Sequence, residues 1–165
     1  MEVRTLCDVF YSSVDDYNKP EHLKFKDGAA WRAISSAEFR QAVEELSLGL
    51  RSLGVEKGDR VAILSENRPE WAIVDLAALC AGAVDAPIYS TLTPPQILYI
   101  LNDSQSKVLF VSNAAQARKV AEIRSQASHL KHVVRMDEAL LEGTLSFSEV
   151  RARGHMTARQ PSVHR

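Results

Sequence analysis

RVAILSENRPEWAIVDLAALCAGAVDAPIY, Arg60 to Tyr89, holds two apolar strands and the segment that joins them. Arg60–Leu64 is a short apolar run that follows the turn residues Glu56-Lys57-Gly58-Asp59. SENRPEW comes next. Pro69 suits the first position of a helix, where an N–H would have no intrahelical partner. From Trp71 to Ala81 apolar residues fall on nearly every side, which predicts a helix buried between layers. Gly82 stops that helix, and Val84 to Tyr89 reads as the second strand.

The same alternation continues on both sides. Upstream, Leu6, Val9, Phe10 and Val14 have helical spacing behind a Thr5 cap. Leu23–Lys26 and Trp31–Ile34 flank Asp27-Gly28 and predict a β-hairpin. Ser35-Ser36-Ala37-Glu38 is a capping box. The stripe Phe39, Ala42, Val43, Leu46, Leu50 and Leu53 behind it predicts a helix that Gly54 ends. Downstream, Thr93-Pro94-Pro95-Gln96 starts a helix that Asn102-Asp103-Ser104 is expected to break. Lys107–Val111 reads as a strand, Ala114–Ala127 as a helix and His132–Arg135 as a strand. Ser146-Phe147-Ser148-Glu149 opens a brief helix. Alternating strands and helices favour parallel pairing. The unalternating runs Val61–Leu64 and Val108–Val111 fit a sheet covered on both faces. The fold class expected is α/β: a layered, largely parallel sheet with right-handed crossovers and helices on both faces, plus an amino-terminal helix and hairpin. Residues 1–153 form one domain in this reading. Residues 154–165, GHMTARQPSVHR, lose periodicity and are expected to be a disordered tail.

With 165 residues and 45% apolar content, the chain is long enough for one domain with a core. Its net charge of −1, with both signs interspersed, excludes a basic field for nucleic acid. The longest apolar run, Ala77–Val84, is far shorter than a bilayer span. Charges near the amino terminus exclude the apolar core of a signal peptide. Cys7 and Cys80 are too few and too separate for a disulfide framework. Reduced, buried thiols in a cytoplasmic protein are expected.

The search for chemistry finds no engine. GVEKGD has two glycines, but it precedes a strand and no Ser or Thr follows its lysine, so a helix stop and turn explain it better than a phosphate loop. His129 and His132 stand three apart without a third ligand, and His22, His155 and His164 have no partners of metal-binding kind. Cys7 and Cys80 have no assignable base beside them. Asp75, an acid in the most apolar helix, is either a perturbed carboxylate or an exposed-edge residue. Arg151, Arg153, Arg159 and Arg165 lack the aromatic interleaving of a nucleic-acid or lipid contact. Ser12-Ser13 and Ser35-Ser36 are accounted for by turns and caps. No catalytic, cofactor-binding or metal-ligating residue is assigned.

In combination these motifs are familiar. The stretch Ala33–Asn113 resembles the amino-terminal part of the adenylate-forming acyl-CoA synthetases, the AMP-binding superfamily. GDRVAILSENRPEW and APIYSTLTPPQILYILNDSQSKVLFV are most similar to the long-chain fatty-acid–CoA ligases. The resemblance runs from about Thr5 to Gly154 and implies a family that uses ATP, Mg²⁺ and coenzyme A to convert a fatty acid, through acyl-AMP, to a thioester. It also implies that the phosphate loop, the adenine and ribose contacts and the carboxy-terminal domain lie downstream of this region. The chain is therefore expected to be a truncated amino-terminal piece, inactive alone. The alternative is a non-catalytic module that docks on a separately encoded remainder or a full-length relative. The resemblance makes SENRPEW the first strand-to-helix connection, with Trp71 as its anchor and with Asn67 and Arg68 ordering it by hydrogen bonds. Acyl-chain preference and membrane association stay open at this point.

Overall fold

The computed structural model describes residues 4–137 and 141–159. Its elements follow the order α1 (Leu6–Tyr17), β1 (Leu23–Asp27), β2 (Ala30–Ile34), α2 (Ser36–Ser52), β3 (Arg60–Leu64), α3 (Pro69–Cys80) and β4 (Val84–Ile88). Then come α4 (Pro94–Ser104), β5 (Val108–Val111), α5 (Ala114–Ile123) with a 3-10 turn Arg124–Gln126, β6 (His132–Arg135), β7 (Leu145–Ser146) and α6 (Phe147–Arg159). The α/β class, the parallel sheet and the hairpin agree with the sequence reading.

Local chemistry sets most of the boundaries. The Ser35 hydroxyl accepts from the Glu38 amide at 3.2 Å, and Glu38 accepts from the Ser35 amide at 2.8 Å. Pro69 is the first residue of α3, whose Ile73, Val74, Ala77 and Ala78 are buried. Gly28 takes φ +61°, the left-handed conformation that the two-residue hairpin turn needs. β1 and β2 pair antiparallel, from Leu23↔Ile34 to Asp27↔Ala30.

The main sheet has the order β4-β3-β5-β6-β7, and every pairing in it is parallel. Because side chains alternate across a strand, β3 and β5 divide their apolar residues between two layers. Val61, Ile63, Val108 and Phe110 pack with α1, α2, α3 and α6. Ala62, Leu64, Leu109 and Val111 pack with α4 and α5. Near-continuous apolar strands are therefore what this two-sided sheet requires.

Two expectations need correction, and one element had no counterpart among them. Asn102-Asp103-Ser104 does not break α4, which runs to Ser104 and stops where Gln105 turns left-handed at φ +54°. The two-residue strand β7, which pairs with β6, has no periodicity to reveal it. Most significant, residues 154–159 are not a tail, because α6 is 13 residues long and ends at Arg159. Gly154 lets α6 touch α2. Its Cα lies so close that an added methyl would overlap the Glu45 carbonyl, and one at Gly49 would overlap the Val150 carbonyl. Glu45 also accepts from Arg151 Nη2 at 2.7 Å and meets His155 Nδ1 at 3.3 Å. The expected tail over residues 160–165, including Arg165 and His164, lies outside the described residues.

Candidate functional site

The chain leaves β3 for β4 on one side and afterwards adds β5 on the other. α3 and α5, which follow β3 and β5, pack on opposite faces of the sheet. Such a reversal opens a crevice beyond the carboxyl ends of the two strands, the place where open α/β sheets bind ligands. Ser65-Glu66-Asn67-Arg68 and Ser112-Asn113 lie there because each follows directly on its apolar strand.

The polar groups at this edge are tied to one another. The Gln116 amide, on α5, donates to Glu66 Oε1 at 3.1 Å and to the Ser90 carbonyl at 3.1 Å. Lys119 Nζ donates to the carbonyls of Ser90 at 2.7 Å and Leu92 at 3.1 Å. Burial would raise the pKa of Glu66. Hydrogen bonds from Ser112, its own amide, Gln116 and Ser90 outweigh that and hold it below the usual carboxylate range. Arg68 Nη1 donates to the Ser112 carbonyl at 2.8 Å, and its Nε donates to Glu70 Oε2 at 2.7 Å. Gln116 Oε1 is the buried side-chain oxygen left without a partner among the described residues. Asn113 caps α5 by accepting from the amides of Ala115 and Gln116 at 2.9 and 3.1 Å. At β6, the buried Arg135 donates to Asp137 Oδ1 at 2.6 Å, and Asp137 Oδ2 accepts from the Ala114 amide at 3.1 Å.

Beside this network, and sharing Glu66, Arg68 and Glu70 with it, an open cleft of about 690 Å³ lies between SENRPEW and the hairpin, lined also by Lys24, Lys26 and Asn67 among others. Its cations have local partners. Lys24 pairs with Glu21 at 2.6 Å, and Lys26 lies 5.7 Å from the centre of the Trp31 ring. SENRPEW is thus a connection that also forms a cleft wall. The hydrogen bonds expected of Asn67 and Arg68 are made by Arg68, while Asn67 is exposed.

The other candidates are scattered. Gly54 and Gly58, at φ +82° and +85°, form turns before β3, at the amino end of the sheet and away from the crevice. His22 Nδ1 lies 3.1 Å from the Ser36 hydroxyl, and its ring stacks on Phe39. Burial lowers the pKa of His132, against the hydrogen bond it makes with the Leu53 backbone. No group of three metal-capable side chains occurs among the described residues. Ser36 is buried and takes the Lys19 amide at 2.9 Å. Asp75 is half-buried on α3 and hydrogen-bonds the Asp85 carboxyl on β4. Burial first, then the Asp85 charge and that bond, push its pKa up to about 6. Cys7 and Cys80 are half-buried free thiols with their sulfurs 3.3 Å apart, a proximity that their distance in sequence hides.

Sequence reasoning missed Glu66, Ser112, Gln116, Lys119 and Arg135. A usable signal existed for three of them: a polar residue at or just beyond the end of an apolar parallel strand faces the carboxyl edge. Nothing local marks Gln116 and Lys119.

Three comparisons with known proteins bear on this geometry. The family model described as "AMP-binding enzyme" matches residues 13–164. The long-chain-fatty-acid–CoA ligase FadD15 of Mycobacterium bovis is 39% identical over 128 residues, which is 78% of this chain and 21% of that protein. The long-chain-fatty-acid–CoA ligase ACSBG1 of Rattus norvegicus is 32% identical over 130 residues, 79% of this chain and 18% of that protein. The chain therefore spans about a fifth of the length of the curated relatives it matches. Among solved structures, the anthranilate CoA ligase AuaEII in complex with anthranoyl-AMP superposes with a TM-score of 0.78 at 24% identity, over 88% of this chain and 26% of that one. A putative long-chain-fatty-acid CoA ligase from Rhodopseudomonas palustris gives 0.75 at 23% identity, over 89% of this chain and 36% of that one. At those identities the structures establish the fold. With the family model matching most of its length, the chain belongs to the AMP-binding enzymes.

Proposed function

We propose that this chain provides the amino-terminal α/β framework of an ATP-dependent long-chain fatty-acid–CoA ligase and does not adenylate a fatty acid by itself. The observation that carries this reading is the state of the carboxyl edge. A triphosphate needs free N–H groups and cations, whereas here the Glu66 anion stands at the centre. Lys119 and Arg68 are spent on backbone carbonyls and Glu70. These residues do not fit ATP with its Mg²⁺, so no step of adenylation or thioester formation is assigned to them. The crevice instead holds three connections in register: β3–α3, β4–α4 and β5–α5. The similarity to long-chain ligases supports fatty acid, ATP and coenzyme A as substrates of the assembled enzyme. Among the described residues no helix is long and apolar enough to cross a membrane. We place the chain in the cytoplasm on the ground of its two cysteines, widely separated in sequence, which suit reduced thiols.

The test is ATP–pyrophosphate exchange with a long-chain saturated fatty acid. The chain alone should give none. A separately produced polypeptide covering the rest of the Mycobacterium bovis relative should gain exchange when the chain is added. Exchange by the chain alone would overturn the proposal. The second reading, a docking module, draws on the outer edge of β4, unpaired among the described residues, where Val84 is 52% exposed and Tyr89 lies 81% exposed beyond the strand. Binding to that polypeptide without any gain of exchange would select it. A monomer that shows no binding in sedimentation would eliminate it.

A further inference from the structure

The feature that the proposed function leaves unused is the pair Cys7 and Cys80. Cys7 lies in the first turn of α1 and Cys80 is the last residue of α3, 73 positions away in sequence. The Cys80 thiol points at Cys7 Sγ, 3.3 Å away, and also hydrogen-bonds Tyr11. Two thiols in contact need only about 1.3 Å of further approach to reach bonding distance. Three observations show that the approach and the reagent are both accessible. The first turn of α1, capped by Thr5 and Asp8, carries little apolar burial, with Leu6 65% and Val9 48% exposed, while Phe10 and Val14 anchor the helix further along. A groove of about 530 Å³ lined by Tyr11, Glu44, Leu48 and Cys80 among others opens the Cys80 side of the pair to solvent. Both cysteines are half-buried rather than sealed in the core.

We propose that Cys7 and Cys80 form a reversible dithiol–disulfide site that, on exposure to a low-molecular-weight disulfide such as oxidised glutathione, ties α1 to α3. The Cys7 thiolate attacks one sulfur of the glutathione disulfide, whose S–S bond breaks, and one glutathione thiolate leaves. Cys80 sulfur then attacks the mixed disulfide at Cys7, forms the Sγ–Sγ bond and expels the second glutathione. The two protein thiols lose two electrons and two protons, and the glutathione disulfide gains both as two glutathione thiols. Burial, followed by contact with Cys7, pushes the Cys80 thiol up to about 12, which makes Cys80 the second sulfur to react.

The experiment treats the folded full chain with oxidised glutathione, quenches it with acid and maps its peptides without reduction. The expected product is lighter by two hydrogens and contains a peptide linking Cys7 to Cys80. Cys80→Ser should instead keep one stable glutathione adduct, on Cys7, while Cys7→Ser should stay largely unmodified, because the remaining Cys80 thiol is held protonated. The linked chain should melt about 5–10 °C above the reduced chain, because the cross-link closes a long loop. Cys→Ala variants replace the serine variants if those fail to fold, and the wild-type peptide map stands without either. Glutathione adducts on both cysteines without the linked peptide would overturn the site. So would linkage that forms only in denaturant, or only between chains. A linked chain whose melting temperature does not rise would overturn the tie between helices.

Discussion

Arg135 heads the fully buried side chains by volume, and a guanidinium in that position is tolerable only while paired. Asp137 provides the pair and also holds the first amide of α5. Asp137→Ala leaves the charge alone in the interior, and we expect a loss of about 3 kcal/mol in urea unfolding. Combining it with Arg135→Met should recover most of that loss, because the isolated charge has gone. Asp75 leads to a pH effect of opposite character. Its pKa is raised in the folded chain, so the folded state holds an extra proton between the unfolded value of 3.8 and about 6. Stability from this group is complete at low pH and is lost as pH rises through about 6. Asp75→Asn should therefore stabilise the chain at pH 8 by about 1–2 kcal/mol, discounted for solvent screening, and should change little at pH 4. Urea midpoints of the two chains across that range will check the sign.

At the scale of elements, the contact between α2 and α6 shows why composition misread the end of the chain. Glycine, polar residues and a lack of apolar spacing describe a tail when seen along one segment. Against α2, the same Gly154 is the point of closest approach. The two readings predict different outcomes for Gly154→Ala. In a disordered tail the substitution leaves the stability of the folded chain unchanged. In the packed helix its methyl meets the Glu45 carbonyl and forces the helices apart, and we expect a net loss of about 2–3 kcal/mol. A melting temperature below that of the unaltered chain confirms the packed helix. The elements with strong local signals were legible beforehand. The capping box at Ser35, Pro69 at the start of α3 and the glycine at the hairpin turn each act within four residues of their effect.

At the scale of the molecule, one sheet carries two apolar layers that share β3 and β5 as their common wall. Removing either layer exposes half of every central strand. Trp71 packs on the first layer, whereas Trp31 is 66% exposed and reports little burial. Denaturant unfolding followed by tryptophan fluorescence should coincide with far-ultraviolet circular dichroism, as cooperative loss of both layers requires. Separate midpoints would mean that the α4–α5 face unfolds independently.

Element types, most of their limits and the two-sided parallel sheet were determined by the sequence itself, because hydrophobic period, caps and turn residues act over a few positions. The family was readable for a related reason: its motifs lie in continuous stretches. Tertiary structure alone decided which strands became neighbours, where Gly154 was buried and what met at the carboxyl edge. The partners there are far apart along the chain, Gln116 from Glu66 by 50 residues and Arg68 from Ser112 by 44, and so, elsewhere, is Cys7 from Cys80 by 73. No local pattern encodes such pairs, since each depends on the register and order that the assembled sheet imposes.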